Sequence, residues 1–346
     1  MLINRRTLLA GATVLSLTDA ALPLAARAQI AAAPERANVT IGYGTFLLGL
    51  MPLPLADNLG YFKDAGLNVT VQNFNAGGSA PVQALLGGST DAVFAYYDHT
   101  IEVQAQGKDV VSVVLVTRNP GWVLGVRTDL KDVIRTPADL KGRKVGVSAL
   151  GASSDFLVHY FAGRSGLQPR DVTTIAVGGG ATAIAAIEHK TIDALVAFDP
   201  AYTLLAQKGL VYGLVDTRSQ AGSLQAFGGN YPSTVLFVTR RFMEANPVTV
   251  QRMVDAFVRT LRWMGKASAT EIADHLPDKY YLTDKPTFER VVDASRDMFT
   301  PEGKFDLTDL QRVATVMKEA SPIVAAGNVD IRQTYTERFV DAAVAS

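Results

Sequence analysis

The sequence predicts an α/β protein built from two similar lobes of parallel β-sheet covered by helices. Short β-rich runs alternate with helical segments from Val39 onward, which is typical of parallel sheets with helices on their faces. One unit of helix and strand occurs twice along the chain. A chain of 346 residues also buries about three quarters of its unfolded surface, which is more than one small core uses.

The repeated unit consists of a glycine pair, a helix and an apolar strand that ends in an aromatic residue. In the first copy Gly78 stands thirteen residues before Asp91, and in the second Gly180 stands thirteen residues before Asp193. The copies are therefore offset by 102 residues. Any fold with repeated strand and helix units can contain such a pattern, but the agreement in order and spacing favours one copy in each of two lobes.

These boundaries predict a discontinuous first lobe and a continuous second lobe. Lobe one is expected to comprise residues 38–122 plus 240–346, and lobe two residues 125–229. Extended crossovers between them are expected at residues 122–126 and 231–239.

The C-terminal third is predicted to be helical. Asn246 and Pro247 have the residue types of an N-cap and a first helical position, and apolar residues follow at helical spacing. Further helices are expected at about 285–298 and 306–321, with Asp306 as a cap and Pro322 ending the second of them.

The first 28 residues have the pattern of an export signal. Arg5 and Arg6 precede a small and apolar run, and the sequence Ala26-Arg27-Ala28 has the form of a cleavage site. The arginine pair resembles a twin-arginine signal, although it also suits the basic region of a general secretory signal. We therefore predict export to the periplasm and a mature chain that begins near Gln29.

Composition excludes several classes of site. The chain has no cysteine, which excludes disulfides, thiolate metal sites and a cysteine nucleophile. Removal of residues 1–28 takes away three of 33 basic and one of 33 acidic residues, so the mature net charge is near −2. A weakly acidic chain of this kind is not expected to bind nucleic acid.

Several short motifs, each weak alone, occur together in one order. They are residues 55–69 with the pattern LAxxxGYFKxxGLxV, Gly78-Ser79, Asp91-Ala92, residues 140–148 with the sequence LKGRKVGVS, Gly151-x-Ser153, Asp171-Val172 and Asp193-Ala194. In this order the chain resembles the solute-binding receptors of ABC importers for aliphatic sulfonates, taurine and nitrate, including relatives that bind thiamine-precursor pyrimidines. The resemblance implies a type II periplasmic-binding fold with the ligand between the lobes.

Candidate ligand-binding residues follow from the expected strand ends, because ligands of open α/β sheets lie beyond the carboxyl ends of the strands. Helix N-termini there present free N–H groups. The candidates in lobe one are Thr45, Phe46, Gly78, Ser79, Tyr96 and Tyr97. Those in lobe two are Ser148, Gly151, Ser153, Ser154, Phe198 and Asp199, and Tyr231 begins the return crossover. The serines also suit plain helix caps, and the aromatic residues also suit the core.

Two charged candidates have competing interpretations. Arg118 lies in a loop near the first crossover, where its guanidinium suits a carboxylate or sulfonate, but a solvated loop arginine is the ordinary case. Asp199 precedes Pro200 and can simply form a turn, whereas exposure to the cleft would favour a cationic ligand.

The motifs of enzymes that use metals or nucleotides are missing from the sequence. Its four histidines form no metal-ligand spacing, and neither a phosphate-binding loop nor a G-x-S-x-G motif occurs. Among the histidines, only His99 is expected near the cleft. No cofactor, no metal and no catalytic residue are therefore predicted.

The function predicted from these observations is that of a receptor for an ABC importer, with permease and ATPase subunits as partners. Two helix N-termini facing one cleft favour a small anion. The candidate aromatic residues would cover an organic body, which favours an organic sulfonate or carboxylate over bare nitrate, with taurine and nitrate-like ligands as further candidates. A monomer is expected. An enzyme related to thiamine-pyrimidine synthesis and the ligand-binding module of a sensor system are the alternatives, although the enzyme branch of the resembled family uses a cysteine-rich segment that this chain lacks.

Overall fold

The computed structural model describes residues 32–345. The predicted export signal at residues 1–28 lies outside the described residues. From Ala33 onward the chain forms one compact unit. Among the described residues, no helix is both long and apolar enough to cross a membrane.

The first sheet has five strands in the order β2-β1-β3-β10-β4. Strands β1 to β3 run parallel, and β10 runs antiparallel to both of its neighbours. Their bounds are β1 Asn38–Tyr43, β2 Asn68–Asn73, β3 Ala92–Tyr96, β4 Val110–Leu115 and β10 Thr234–Thr239.

The second sheet repeats this arrangement in the order β7-β6-β8-β5-β9. Strands β6 to β8 are parallel, and β5 is antiparallel to β8 and β9. Their bounds are β5 Trp122–Arg127, β6 Lys144–Val147, β7 Thr173–Ala176, β8 Ala194–Phe198 and β9 Val211–Asp216. The two copies of the sequence repeat contribute β3 and β8, which occupy the same position in different sheets.

The chain passes from one sheet to the other in two short segments, residues 116–121 and 228–233. The predicted crossover at 122–126 lies wholly within β5 of the second sheet, and most of 231–239 lies within β10 of the first. Trp122, predicted as the last residue of lobe one, pairs with Phe198 in the second sheet. Extended apolar runs satisfy their backbone groups by pairing along a sheet, so they do not remain as linkers. The lobe boundaries as a whole stay a prediction.

Fifteen α-helices accompany the strands in the described part of the chain. The first eight are α1 Pro52–Asn58, α2 Tyr61–Asp64, α3 Ser79–Leu86, α4 Asp98–Ala105, α5 Ser153–Arg164, α6 Ala181–Glu188, α7 Ala201–Gln207 and α8 Gln220–Phe227. The remainder are α9 Arg240–Ala245, α10 Pro247–Met264, α11 Ala269–Asp274, α12 Lys285–Ala294, α13 Leu307–Ala320, α14 Pro322–Ala326 and α15 Arg338–Ala345.

The long helix α10 begins where the sequence predicts, but its cap is a different residue. The Asn246 amide donates back to Phe242 O at 3.0 Å, so it does not cap the helix. The Glu35 carboxylate instead accepts from the N–H groups of Val248 at 3.1 Å and Thr249 at 2.9 Å. A carboxylate at a helix N-terminus satisfies two free donors and complements the helix dipole.

The other C-terminal helices begin and end close to the predicted positions. Asp306 accepts from the N–H of Asp309 at 3.0 Å and caps α13 as predicted. Pro322 both follows the end of α13 and begins α14, because proline suits the first turn of a helix. Helix α13 packs against α5, so the C-terminal third contacts the helix that follows β6.

Aromatic residues fill the interior on both sides of the molecule. Phe94 of β3 stacks on Phe257 of α10 at 4.9 Å. Trp122 of β5 is fully buried and packs edge-on against Phe161 and Phe227. Buried side chains of this size contribute most to the stability of a core held together by packing alone.

Candidate functional site

A small cavity lies between the two sheets, at the carboxyl ends of strands β1, β3, β6 and β8. Its volume is about 30 Å³, room for about two water molecules. Side chains and backbone from both sheets line it: Gly44, Thr45, Leu47, Leu50, Ala76, Gly77, Gly78, Phe94, Ala95, Tyr96, His99, Ser148, Ala152, Ser153, Ser154 and Phe198. This is the place at which open α/β sheets bind ligands.

The N-terminus of α3 packs so closely against His99 of α4 and against the residues just before α5 that only glycine fits. A Cβ atom added at Gly78 would lie 2.4 Å from His99 Nε2. One added at Gly77 would lie 2.8 Å from the Ala149 side chain and 2.9 Å from that of Ala152. The glycine pair of the repeat therefore allows the backbone of α3 to reach the cavity.

The N-terminus of α5 forms the facing wall and is held by its own side chains. Ser154 Oγ accepts from the Ser148 N–H at 2.9 Å and lies 2.8 Å from the Ser148 hydroxyl. The Asp155 carboxylate accepts from the Gly151 N–H at 2.8 Å. These bonds fix the turn between β6 and α5, which leaves Ser153 to point away from its own helix.

Ser153 reaches across to the first sheet. Its hydroxyl donates to Asp98 Oδ1 at 2.8 Å, and Asp98 begins α4, the helix that follows β3. Asp98 is only 1% exposed, and its Oδ2 has no hydrogen-bond partner among the described residues. Burial raises the pKa of Asp98 to about 7, although the bond from Ser153 acts in the opposite direction.

His99 presents an unpaired ring nitrogen at the cavity. The side chain is buried, and its Nε2 has no partner in the described part of the chain. Burial lowers the pKa of His99 to about 4, so the imidazole is neutral near pH 7. A neutral imidazole can donate from one ring nitrogen and accept at the other, so His99 can contact a ligand in either role.

Tyr96 and Phe198 form the aromatic part of the lining. They end the equivalent strands β3 and β8, and their rings meet edge-to-face at 6.1 Å. The Tyr96 hydroxyl donates to the Pro120 carbonyl oxygen, which directs it toward the segment that connects the sheets. Burial raises the pKa of Tyr96, so this hydroxyl stays protonated.

Seven of the predicted site residues line the cavity: Thr45, Gly78, Tyr96, Ser148, Ser153, Ser154 and Phe198. Ser79 and Gly151 are neighbours of lining residues, but they are not part of the lining. Gly151 has a φ of 68°, which identifies its role as a turn residue before α5.

Three predicted aromatic residues pack elsewhere. Phe46 stacks on Tyr280 at 4.2 Å, and the Tyr97 hydroxyl bonds to the Thr334 hydroxyl in the interior. Tyr231 stacks on Phe227 at 4.3 Å, outside the cavity lining, and its hydroxyl has no partner among the described residues. For Phe46 and Tyr97 the core interpretation fits, because burying a large ring is favourable without any ligand.

The two charged candidates also lie outside the lining. Asp199 accepts from Arg218 at 3.1 Å and from the Thr203 hydroxyl at 2.7 Å, so its carboxylate is bonded within the fold and not presented to the cavity. Arg118 faces a different cavity, and its Nη2 donates to the Phe299 carbonyl oxygen at 2.9 Å.

Asp98 and Gly77 were not predicted as site residues, and His99 was expected only near the cleft. Asp98 and His99 directly follow Tyr96 and Tyr97 at the end of a strand, and this succession is the signal that could have identified them. Across the described residues, no group of three or more histidine and carboxylate side chains is arranged to hold a metal ion.

Two sheets of equal strand order that enclose a cavity at their strand ends define the periplasmic-binding-protein fold. A model of the family described as NMT1/THI5 like matches residues 49–268. The chain belongs to this family.

Solved structures of similar proteins cover almost the whole chain. A protein from Bordetella bronchiseptica RB50 is 35% identical, with 90% of this chain and 98% of that chain covered and a TM-score of 0.86. The alkanesulfonate-binding protein SsuA from Xanthomonas axonopodis pv. citri, bound to MOPS, is 21% identical over 89% of this chain and 100% of its own, with a TM-score of 0.70. The periplasmic nitrate-binding protein NrtA from Synechocystis PCC 6803 is 16% identical over 91% of this chain and 90% of its own, with a TM-score of 0.71.

Proposed function

We propose that this protein is the periplasmic solute-binding component of an ABC importer and binds a small organic anion between its two lobes. The observation that carries the proposal is the cavity enclosed by the N-termini of α3 and α5, which belong to different sheets. The likeness to proteins named for sulfonate and nitrate binding supports the same class of function.

The chemistry of the cavity favours a compact group that accepts hydrogen bonds. First-turn N–H groups of a helix have no acceptor within the helix and carry partial positive charge. Hydroxyl groups of Thr45 and Ser148 and the imidazole of His99 lie beside these helix ends. A sulfonate or carboxylate group suits this set of donors, and the Tyr96 and Phe198 rings suit the organic body of the ligand.

The size of the cavity requires the lobes to separate when a ligand enters. A volume of about 30 Å³ holds little more than the head group of an organic acid. The two connecting segments, residues 116–121 and 228–233, are the places at which such a motion can occur. Division of the chain into lobes at 38–122 plus 240–346 and 125–229 is part of this proposal, with the first boundary moved ahead of β5 and the second moved ahead of β10.

A neutral polar solute is the second candidate, and one specific observation favours it. Within residues 32–345, no arginine or lysine lines the cavity, and the Asp98 carboxyl lies directly behind Ser153. An anion must therefore be held by helix ends and neutral donors alone.

Calorimetric titration of the purified mature chain distinguishes these candidates. We expect an organic sulfonate or carboxylate to bind with a Kd near micromolar or tighter, about −8 kcal/mol. Taurine, nitrate and a neutral amide of the same acid serve as the comparison set. Binding of the neutral amide with no heat from either acid would overturn the anionic assignment. A ligand recovered chemically unchanged after incubation is expected for a receptor without catalytic activity.

Export and partners are tested separately. The proposal expects periplasmic material that begins near Gln29, and intact-mass analysis measures this directly. Replacing Arg5 and Arg6 by lysine blocks export only if the twin-arginine route is used. Adjacent reading frames for a permease and an ATPase are expected, whereas a histidine kinase beside the gene would indicate a sensor instead.

A further inference from the structure

A second cavity of about 190 Å³ is lined by a set of residues different from those of the interlobe cavity. Its walls come from α10, α11, α12 and residues 296–301, and Arg118 reaches it from the segment that connects the two sheets. Most of its lining is apolar, including Met51, Leu261 and Ile272. It is therefore larger than the interlobe cavity and contains a charge that the interlobe cavity lacks.

Arg118 supplies an incompletely paired guanidinium at this cavity. One donor is used by the bond from Nη2 to the Phe299 carbonyl oxygen at 2.9 Å. Its Nε is buried without a hydrogen-bond partner, and no carboxylate among the described residues forms an ion pair with it. Burying a guanidinium donor without an acceptor costs free energy. An anion that accepts from the guanidinium would offset part of this cost.

Arg296 lies on another wall of the cavity, and each of its three guanidinium nitrogens forms a bond within the fold. Its two terminal nitrogens donate to the carbonyl oxygens of Met264 at 3.0 Å and Ala267 at 2.9 Å, and its Nε pairs with Asp293. It holds the wall in place and adds positive potential that Asp293 partly offsets. The guanidinium available to a ligand is thus that of Arg118.

We propose that this cavity is a second binding site, for a small amphipathic monoanion such as a short-chain carboxylate. The carboxylate would accept from the terminal guanidinium N–H groups of Arg118 that the bond to Phe299 leaves free, and the hydrocarbon chain would lie along Met51, Leu261 and Met264. A neutral alcohol of the same length gains the apolar contacts and can accept a neutral hydrogen bond, but it supplies no charge to pair with Arg118.

The position of Arg118 connects this site to the segments between the sheets. The Arg118 N–H donates to Met298 O at 2.9 Å, and its carbonyl oxygen accepts from the N–H of Tyr231 at 2.9 Å. Both connecting segments therefore meet at this residue. An anion bound at Arg118 changes the relative position of the two sheets only if it binds one arrangement of the sheets more tightly than another.

The experiment uses methyl-labelled methionines in the full mature chain, titrated with hexanoate and, in parallel, with 1-hexanol. We expect the Met51 and Met264 methyl signals to shift with hexanoate and to saturate with a Kd below about 1 mM. Met317, in α13, serves as the internal control and should not shift. Hexanol should bind at least about tenfold more weakly, because it carries no charge for Arg118.

Two variants test the assigned residue. Arg118→Met should weaken hexanoate binding at least about tenfold and leave hexanol binding unchanged, whereas Arg118→Lys should retain part of the preference for the anion. Equal affinity of the wild-type chain for hexanoate and hexanol would overturn the proposal, as would shifts that do not include Met51 and Met264. Should Arg118→Met fail to fold, the lysine variant and the wild-type comparison still decide the question. Hexanoate is itself an organic carboxylate and can also enter the interlobe site, so the Met264 signal and the Arg118 variants separate the two sites, because neither residue lines the interlobe cavity.

Discussion

The Ser153 hydroxyl donates a 2.8 Å hydrogen bond to Asp98 Oδ1, and this bond joins the helix after β6 to the helix after β3. Both side chains are buried, and both helices begin at the edge of the interlobe cavity. The bond therefore exists only when the two sheets are as close as they are in this structure. Removing this bond therefore measures how much the closed arrangement depends on one contact.

Ser153→Ala should destabilise the closed arrangement. The change leaves the buried Asp98 carboxyl without its donor, which costs about 1 to 3 kcal/mol. We expect a lower free energy of unfolding in urea and a larger radius of gyration in X-ray scattering without ligand. Ser89→Ala, at an exposed position, is the matched control and should change neither. An unchanged scattering profile for Ser153→Ala would mean that other contacts hold the sheets together.

Asp98 and His99 should have opposite effects on the dependence of stability on pH. The pKa of Asp98 is raised from 3.8 to about 7, so its contribution to stability is present at low pH and is lost as the pH rises toward 7. The pKa of His99 is lowered from 6.5 to about 4, so its contribution is present above 6.5 and is lost as the pH falls toward 4. Between about pH 4 and 6.5 the two effects cancel in the wild-type chain.

Single variants should remove this cancellation. Asp98→Asn leaves His99 alone, so the free energy of unfolding should fall on acidification from pH 6.5 to 4.5, by at most about 1.4 kcal/mol per pH unit. In His99→Gln only Asp98 of this pair still titrates, so the free energy of unfolding should rise on acidification over the same pH range. Neighbouring Glu102 interacts with both groups and is left unchanged. Asp132→Asn, whose side chain is 96% exposed, is the control and should behave as the wild type. Parallel pH profiles for the two variants would contradict the assignment.

The repeat in the sequence predicted the arrangement of strands better than it predicted the contacts of individual side chains. Glycine pairs and apolar strands follow local rules, so their spacing correctly indicated where α3 begins and where β3 and β8 end. Gly78, Ser153 and Phe198 were therefore expected at the cavity, and the structure brings them together.

The remaining site residues depend on contacts between distant parts of the chain. Asp199 was predicted as a cleft candidate, but in the structure it pairs with Arg218, nineteen residues later. The side chain of Asp98 reaches Ser153, fifty-five residues further along the chain. Periodicity cannot reveal such pairs, because they are set by how the two sheets pack and not by the spacing within either one.

Thr45 tests whether the cavity binds its ligand through side-chain hydroxyls. Its backbone N–H is already engaged with Ala76 O at 2.6 Å, which fixes the residue at the cavity wall. Thr45→Ala should weaken binding of the anionic ligand by about 1 to 2 kcal/mol in calorimetry, the scale of a hydrogen bond to a charged group. Thr45→Ser keeps the hydroxyl and should retain most of the affinity. Equal losses in both variants would assign the effect to the methyl group and not to the hydroxyl.

Gly78→Ala tests the close approach of α3 to His99. The added Cβ would lie 2.4 Å from His99 Nε2, so either the imidazole or the start of α3 must move. We expect loss of ligand binding together with a decrease in the free energy of unfolding of about 1 to 3 kcal/mol, the usual cost of overpacking. Gly163→Ala is the matched control, because Gly163 lies within α5 and a Cβ there meets nothing within 4 Å. That change should stabilise the chain by up to about 1 kcal/mol through helix propensity alone and leave binding intact. If Gly78→Ala binds ligand with unchanged affinity, the N-terminus of α3 does not form part of the site, and the ligand contacts are then expected at α5.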